Sequence, residues 1–289
     1  VHFHLKQSND LEIYEMENVS KEKLEEVCDV RQPVLFSFPC DKIIETTSKQ
    51  FVETNYPAFE VKIRNIREVD DLTEYYTPLT LSAANKLFKE DTTSSYFTEK
   101  NQDFLQETGV IKNYQYNDEY LRPAMVSNCF YDLISGSANV QTPFRYEINY
   151  RNYFLVTQGS VTIKLAPPKS SKYLYPRYDY DNFEFSSPVN PWDPQPKYVA
   201  DFNKIKCLEF VLTKGKIVFI PAYWWYSIQF NENTSISAFQ YRTYMNNVAI
   251  SPHIFMYALQ NQNIVRNVTK KADVESKKEE EVVKEKEKE

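Results

Sequence analysis

Thr142-Pro143-Phe144-Arg145-Tyr146-Glu147 reads as a strand, and its two charged residues stand at i and i+2. On a strand that spacing points both side chains the same way. Further along the chain, Ile220-Pro221-Ala222-Tyr223-Trp224-Trp225-Tyr226 gathers large rings directly after a proline. Taken singly, Arg145 and Glu147 would be a solvated ion pair worth about 0–1 kcal/mol, and Trp224 and Trp225 would be core and rim aromatics.

Around them the chain changes character. Leu11–Met16 alternates as a short strand, and Ser20 is a suitable N-cap for a helix over Ser20–Gln32 with Leu24, Val27 and Val30 on its apolar face. Pro33 ends that helix, and Val34–Phe38 follows as a buried strand. Phe59–Ile66 alternates, Thr80–Lys89 has helical spacing, and Tyr96–Thr108 is a mixed segment, helical around Asp103–Leu105. From Asn128 onward short strands dominate: Asn128–Leu133, Tyr153–Val156, Val161–Leu165, Cys207–Leu212, Lys216–Ile220, Tyr226–Phe230 and Ile236–Tyr241, with turns at Gln158-Gly159 and Lys214-Gly215. Such a series predicts an all-β barrel or jelly roll preceded by helices. The expected organisation is an α+β region over 1–127 packing on the barrel, a barrel core over 128–245, a helical extension over 246–269 and a charged tail over 270–289. The tail carries seven Lys against eight acidic residues, and with no apolar periodicity it is expected to be disordered.

Together the two opening stretches resemble the metal-binding core of the JmjC and cupin-like 2-oxoglutarate oxygenases, in style closest to the asparaginyl-hydroxylase-like members. The resemblance runs from Glu12 to Tyr244 and is strongest from Asn128 to Gln240. It implies a mainly β fold with flanking helices: a double-stranded β-helix, or jelly-roll, barrel with an α+β N-terminal region. In that family the first stretch carries His-x-Asp, and the second sets a His directly after an aromatic pair. Here those three positions are Arg145, Glu147 and Tyr226. The family's Ile-Pro-x-Tyr-Trp-Trp pattern is followed through Ile220, Pro221, Tyr223, Trp224 and Trp225 before the departure at Tyr226. The family's lysine for the distal carboxylate of 2-oxoglutarate is replaced by Val161, two residues past Gly159, with Lys164 further along the strand. Thr142 and Asn152 match polar positions of the cosubstrate pocket, and with Val161, Trp224 and Trp225 they make up the pocket that the resemblance implies.

A non-haem iron centre of this kind needs two neutral imidazoles and a carboxylate on one face. The chain has three histidines, His2, His4 and His253, and none falls in either stretch. A guanidinium offers donors only and cannot ligate a metal. The expectation is therefore no catalytic residue, no metal and no cofactor at these vestigial positions. Arg145 would pair with Glu147 as an internal cation, and Tyr226 would fill the remaining volume. His2 and His4, at i and i+2 on a strand-like stretch, could contribute to a metal site with a carboxylate, but two alternating histidines at the terminus read first as solvent-exposed, given how many ligands a stable site requires.

A formal charge of −6 argues against a nucleic-acid partner, which calls for basic excess. Cys28, Cys40, Cys129 and Cys207 form no C-x-x-C pair and read as reduced, mostly buried thiols of an intracellular protein. No run of 18 apolar residues occurs, so a membrane link would come only from a segment preceding Val1. The sequons at Asn18, Asn233 and Asn267 are of the sort that Asn-rich chains produce by chance. The Tyr- and Pro-rich excursion Lys169–Tyr198, with rings from Tyr173 to Trp192, serves either as a surface for a protein partner or as packing of the insert onto the barrel. Its Asp179, Asp181 and Glu184 disfavour nucleic acid. The reading is a catalytically inactive module with a binding or structural role, in an intracellular or virion-associated setting, since composition and tail resemble proteins of large DNA viruses. Two alternatives stand beside it: an Fe(II)/2-oxoglutarate protein hydroxylase with a rearranged site, and a cupin-type binder of a small anionic or glycan ligand caught by Arg145.

Overall fold

The structure is a computed structural model that describes residues 7–17, 19–67, 76–180 and 182–260. The strands are β1 (Tyr14–Met16), β2 (Val34–Ser37), β3 (Glu60–Asn65), β4 (Thr77–Thr80), β5 (Tyr96–Thr98), β6 (Val126–Gly136), β7 (Arg145–Tyr146) and β8 (Arg151–Gln158). They continue as β9 (Ser160–Ala166), β10 (Arg177–Asp179), β11 (Glu184–Ser186), β12 (Leu208–Thr213), β13 (Lys216–Phe219), β14 (Trp225–Phe230) and β15 (Ser235–Thr243). They form a nine-stranded sheet ordered β1-β2-β13-β8-β15-β6-β5-β3-β4 and a six-stranded sheet ordered β10-β11-β7-β14-β9-β12.

Within these, β13-β8-β15-β6 face β7-β14-β9-β12, and the chain crosses between the two quartets in the manner of a jelly roll. The fold is thus mainly β with flanking helices. The N-terminal strands lengthen the larger sheet at both ends, β1 and β2 beyond β13 and β5, β3 and β4 beyond β6. That addition covers edges that a bare quartet would leave open.

Strand β8 explains the layering. Its residues Arg151–Thr157 are all buried, because each face of the large sheet has its own core. Phe154 and Val156 point between the sheets toward Val161, Ile163, Ile228 and Ile236. Tyr153 and Leu155 point the other way, toward the helices, where Leu24, Ile43, Val52, Phe104 and Tyr114 pack. A third cluster lies with the long insert and joins Phe144, Tyr146, Leu174, Phe185, Val189 and Trp225. The β8–β9 turn depends on Gly159. It has φ +72°, and a Cβ there would lie 2.7 Å from Thr234 Oγ1.

The first helix covers Lys21–Cys28, with Ser20 capping Lys23 N–H as its residue type predicts. It stops short of Gln32: Arg31 adopts φ 66° and turns the chain into β2, leaving Val30 43% exposed rather than on the core face. The chain after β15 is helical over Tyr244–Ala249 and again over 251–260. Among the described residues no helix is long and apolar enough to cross a membrane. His2, His4, Asn18, Asp181, Asn267 and the tail 270–289 lie outside the described residues.

Candidate functional site

Strands β7 and β14 pair antiparallel with Arg145 opposite Tyr226 and Tyr146 opposite Trp225. Strand parity then sorts the side chains. Arg145 and Tyr226 turn inward, where the guanidinium carbon lies 5.6 Å from the centre of the Tyr226 ring. Tyr146 and Trp225 turn outward and meet edge to face at 4.8 Å under the insert. Glu147, just past β7, accepts a 3.0 Å hydrogen bond from the Tyr226 hydroxyl. Arg145, Glu147 and Tyr226 all line one cavity of about 580 Å³ between the sheets, whose walls include Phe130 and Ile134 of β6, Phe154 of β8 and Ala238, Gln240 and Arg242 of β15.

The expected pairing of Arg145 with Glu147 does not form. Arg145 instead donates both terminal nitrogens to Glu99, Nη1 to Oε1 at 3.0 Å and Nη2 to Oε2 at 2.5 Å. Glu99 follows β5, and β5 lies beside β6, so its carboxylate reaches the guanidinium end-on. Glu147 is next but one on Arg145's own chain and engages Tyr226 instead. Arg64, from β3, donates to Glu99 at 3.2 Å and clasps Glu184 through two nitrogens at 2.7 and 3.1 Å. Glu184 lies 3.7 Å from Arg145, and Tyr76 donates its hydroxyl to Glu99 at 2.8 Å. Two guanidinium groups and two carboxylates thus close a ring that is almost wholly out of water, their side chains no more than 10% exposed.

These neighbours set the protonation states. Burial by itself would raise the Glu99 carboxyl, but the charge and hydrogen bonds of Arg145, followed by the charge of Arg64, outweigh it and hold the group well below the usual carboxylate range. Glu147 has no such clasp. Burial raises its pKa, with Arg145 and the Tyr226 hydroxyl only partly opposing the shift.

The five residues of the expected pocket do not line this cavity. Thr142 accepts from Ile228 N–H at 2.9 Å and faces a second cavity of about 570 Å³ beside the insert. Asn152 donates to the carbonyls of Ile220 and Asn149, at 3.2 and 3.3 Å, and ties strand ends together. Val161 and Trp224 are sealed in the inter-sheet core. Trp225, outward by parity, donates its indole N–H to Ser171 Oγ at 2.8 Å. Lys164 turns to the carbonyl of Pro191 and to Glu209. In the insert, Phe185 is buried and Trp192 donates to Ser227 Oγ at 2.8 Å, while Tyr175 and Tyr178 stay exposed. Most of these rings pack the insert onto the barrel.

Glu99, Arg64 and Arg242 were not singled out from sequence, and Glu184 was named only as an acidic residue of the insert that disfavours nucleic acid. The one available signal was a charged residue in the strand containing Arg64, on the face opposite Val61 and Ile63.

The donor set at the three positions where the resemblance would place ligands does not fit iron: a guanidinium already bound to a carboxylate, a carboxyl whose charged form burial disfavours, and a phenol. Among the described residues no three of His, Cys, Asp and Glu are grouped so as to hold a metal ion.

The sequence profile of a family described as a cupin-like domain matches residues 44–251. HSPB1-associated protein 1 of Bos taurus is 27% identical over 103 residues, covering 35% of this chain and 21% of that protein. The Homo sapiens protein of the same name matches to the same extent. JmjC domain-containing protein D of Dictyostelium discoideum is 29% identical over 94 residues, or 32% of this chain and 21% of that protein. The matched stretch is about a fifth of the length of these relatives.

Proposed function

The chain belongs to the cupin-like domain family, and we propose that it is a member without iron chemistry, a binding or structural module whose former metal position is occupied by a buried ion network. The observation that carries this reading is the bidentate clasp of Arg145 on Glu99, at a position where the family places an imidazole. In a JmjC-like centre the metal supplies the positive charge that a buried carboxylate needs. Here Arg145 and Arg64 supply it covalently, and the fold keeps its charge balance without an ion.

A protein-binding role draws support from the name of HSPB1-associated protein 1, which speaks of association for that relative. In this chain the exposed rings of Tyr175 and Tyr178 are what the insert leaves to meet a partner. A viral or virion-associated setting rests on composition and the charged tail alone.

The test is metal analysis of the purified chain after incubation with Fe(II), together with succinate release from 2-oxoglutarate. The expected result is substoichiometric iron and no succinate above a heat-treated blank. Stoichiometric iron with matching turnover would overturn the reading and restore the rearranged-site hydroxylase.

A further inference from the structure

We propose that the cavity binds a small aromatic carboxylate, its carboxylate on the Arg242 guanidinium and its ring among Phe130, Phe154 and Phe183. The proposal rests on the binding-module reading above, and it names the ligand class and the anchor.

Two arginines line the cavity, and they differ in what they can still do. Arg145 is not available to capture an anion, because its terminal nitrogens are both on Glu99. Arg242 uses only Nε, donated to Asn149 Oδ1 at 2.6 Å. Asn149 in turn donates Nδ2 to Gln240 Oε1 at 3.2 Å, which fixes the amide with its oxygen toward the arginine. The Arg242 guanidinium carbon lies 5.0 Å from the centre of the Phe130 ring and 4.9 Å from that of Phe183. Two rings and one amide therefore set the fork's position, and its terminal nitrogens have no hydrogen-bond partner among the described residues. A preorganised planar fork of this sort is matched to the two oxygens of a carboxylate.

The other charged groups of the cavity are committed. Lys62 pairs with Asp103 at 2.8 Å, and Lys100 donates its ammonium to the Asn182 carbonyl at 2.7 Å. Asp132 accepts the backbone N–H groups of Lys100, Asn101 and Leu133 at 2.6, 2.8 and 2.8 Å. Glu147 holds the Tyr226 hydroxyl, and burial favours its uncharged form, so it opposes an incoming anion less than a solvated carboxylate would. One free fork favours one carboxylate over a phosphate or a dicarboxylate, whose extra charge would find no second free cation among the described residues. Phe130, Ile134, Phe154, Phe183 and Ala238 give the cavity an apolar wall, and about 580 Å³ accommodates a ring-bearing acid.

The experiment is calorimetric titration of the full chain with phenylacetate, with its neutral isostere phenylacetamide, and with succinate. Phenylacetate is expected to bind about tenfold or more tighter than the amide, as a charge-assisted pair requires, and tighter than succinate. Arg242→Gln should erase the acid–amide difference, and Arg242→Lys should retain only part of it. Absence of phenylacetate binding, equal affinity for acid and amide, a preference for succinate, or an undiminished acid preference in either variant would each overturn the proposal. The acid–amide comparison needs no variant, so it holds even if both substitutions impair folding. Iron binding with turnover would defeat the non-catalytic reading and leave this titration to be judged separately.

Discussion

Arg145 stands directly across the β7–β14 pair from Tyr226 yet gives both its terminal nitrogens to Glu99, 46 residues earlier in the chain. Cross-strand register brings the cation into the barrel, and the added strand β5 delivers the anion that meets it. The same arrangement leaves Glu147 free to bind the phenol of Tyr226. Three positions that resemble a metal triad are thereby split between an ion network and a hydrogen bond from a phenol to a buried carboxyl group.

Breaking the Arg145–Glu99 clasp on one side should be costly. Arg145→Ala leaves Glu99 buried with only Arg64 to share between two carboxylates, and a loss of about 3–5 kcal/mol is expected. Arg145→Ala with Glu99→Ala should cost clearly less than the sum of the single changes. Arg145→Ala with Glu147→Ala should show a smaller coupling than the pair with Glu99, since these two residues share only the Tyr226 side chain and an unbonded charge interaction. Urea denaturation of the single and double variants separates the two couplings.

Glu99 also sets an acid limit. Its folded-state pKa is lowered from the ordinary 4.5, so below that value the unfolded chain takes up a proton that the folded chain resists. The contribution is fully present above about pH 4.5 and is lost as pH falls further, through the folded-state pKa. Glu99→Gln removes the titrating group. The stability gap between wild type and Glu99→Gln is expected to shrink between about pH 6 and about pH 3. A gap that stayed constant over that range in denaturant midpoints would contradict the assignment.

The barrel itself was legible because its strands carry local signals: alternation, turn glycines and prolines. The inward i, i+2 relation of Arg145 and Glu147 follows from parity, and so does the outward turn of Trp225 once Tyr226 is known to face inward. The partner of Arg145 was not legible, because nothing near Glu99 in sequence reports that β5 is the strand added beside β6. Glu184 carried even less signal, since it arrives on an insert whose acidic residues bear, in sequence, only on whether nucleic acid is a partner. The N-terminal helix was overextended because Val30 keeps the apolar period while Arg31 takes a left-handed backbone that residue type does not announce.

The insert is expected to depend on Phe185. The ring is 1% exposed, stacks on Tyr146 at 5.3 Å and meets Phe183 at 5.4 Å and His253 at 5.2 Å. Phe185→Ala should cost about 3–5 kcal/mol as a large-to-small core change. Because β10 and β11 join the rest of the small sheet, among the described residues, only through β7, the lesion should also speed proteolytic cleavage within 174–192. Destabilisation of the whole chain without faster cleavage there would show that the insert is held by other contacts.

Rebuilding the family's ligands gives the sharpest test of the charge argument. Arg145→His, Glu147→Asp and Tyr226→His together place two imidazoles and a carboxylate where the resemblance expects them. They also take the clasping cation from Glu99, leaving Arg64 against two carboxylates. The triple variant is therefore expected to melt below the wild type in the absence of metal, on the order of the 3–5 kcal/mol of a broken buried pair. A divalent transition metal should then raise its melting temperature with concentration, because binding to the folded state alone adds stability. The wild-type chain should not respond to the same additions. Thermal melts of both proteins across a metal series decide the matter. A metal-dependent rise in the wild type, or a triple variant as stable as the wild type without metal, would mean that Arg145 is not the charge that keeps Glu99 buried.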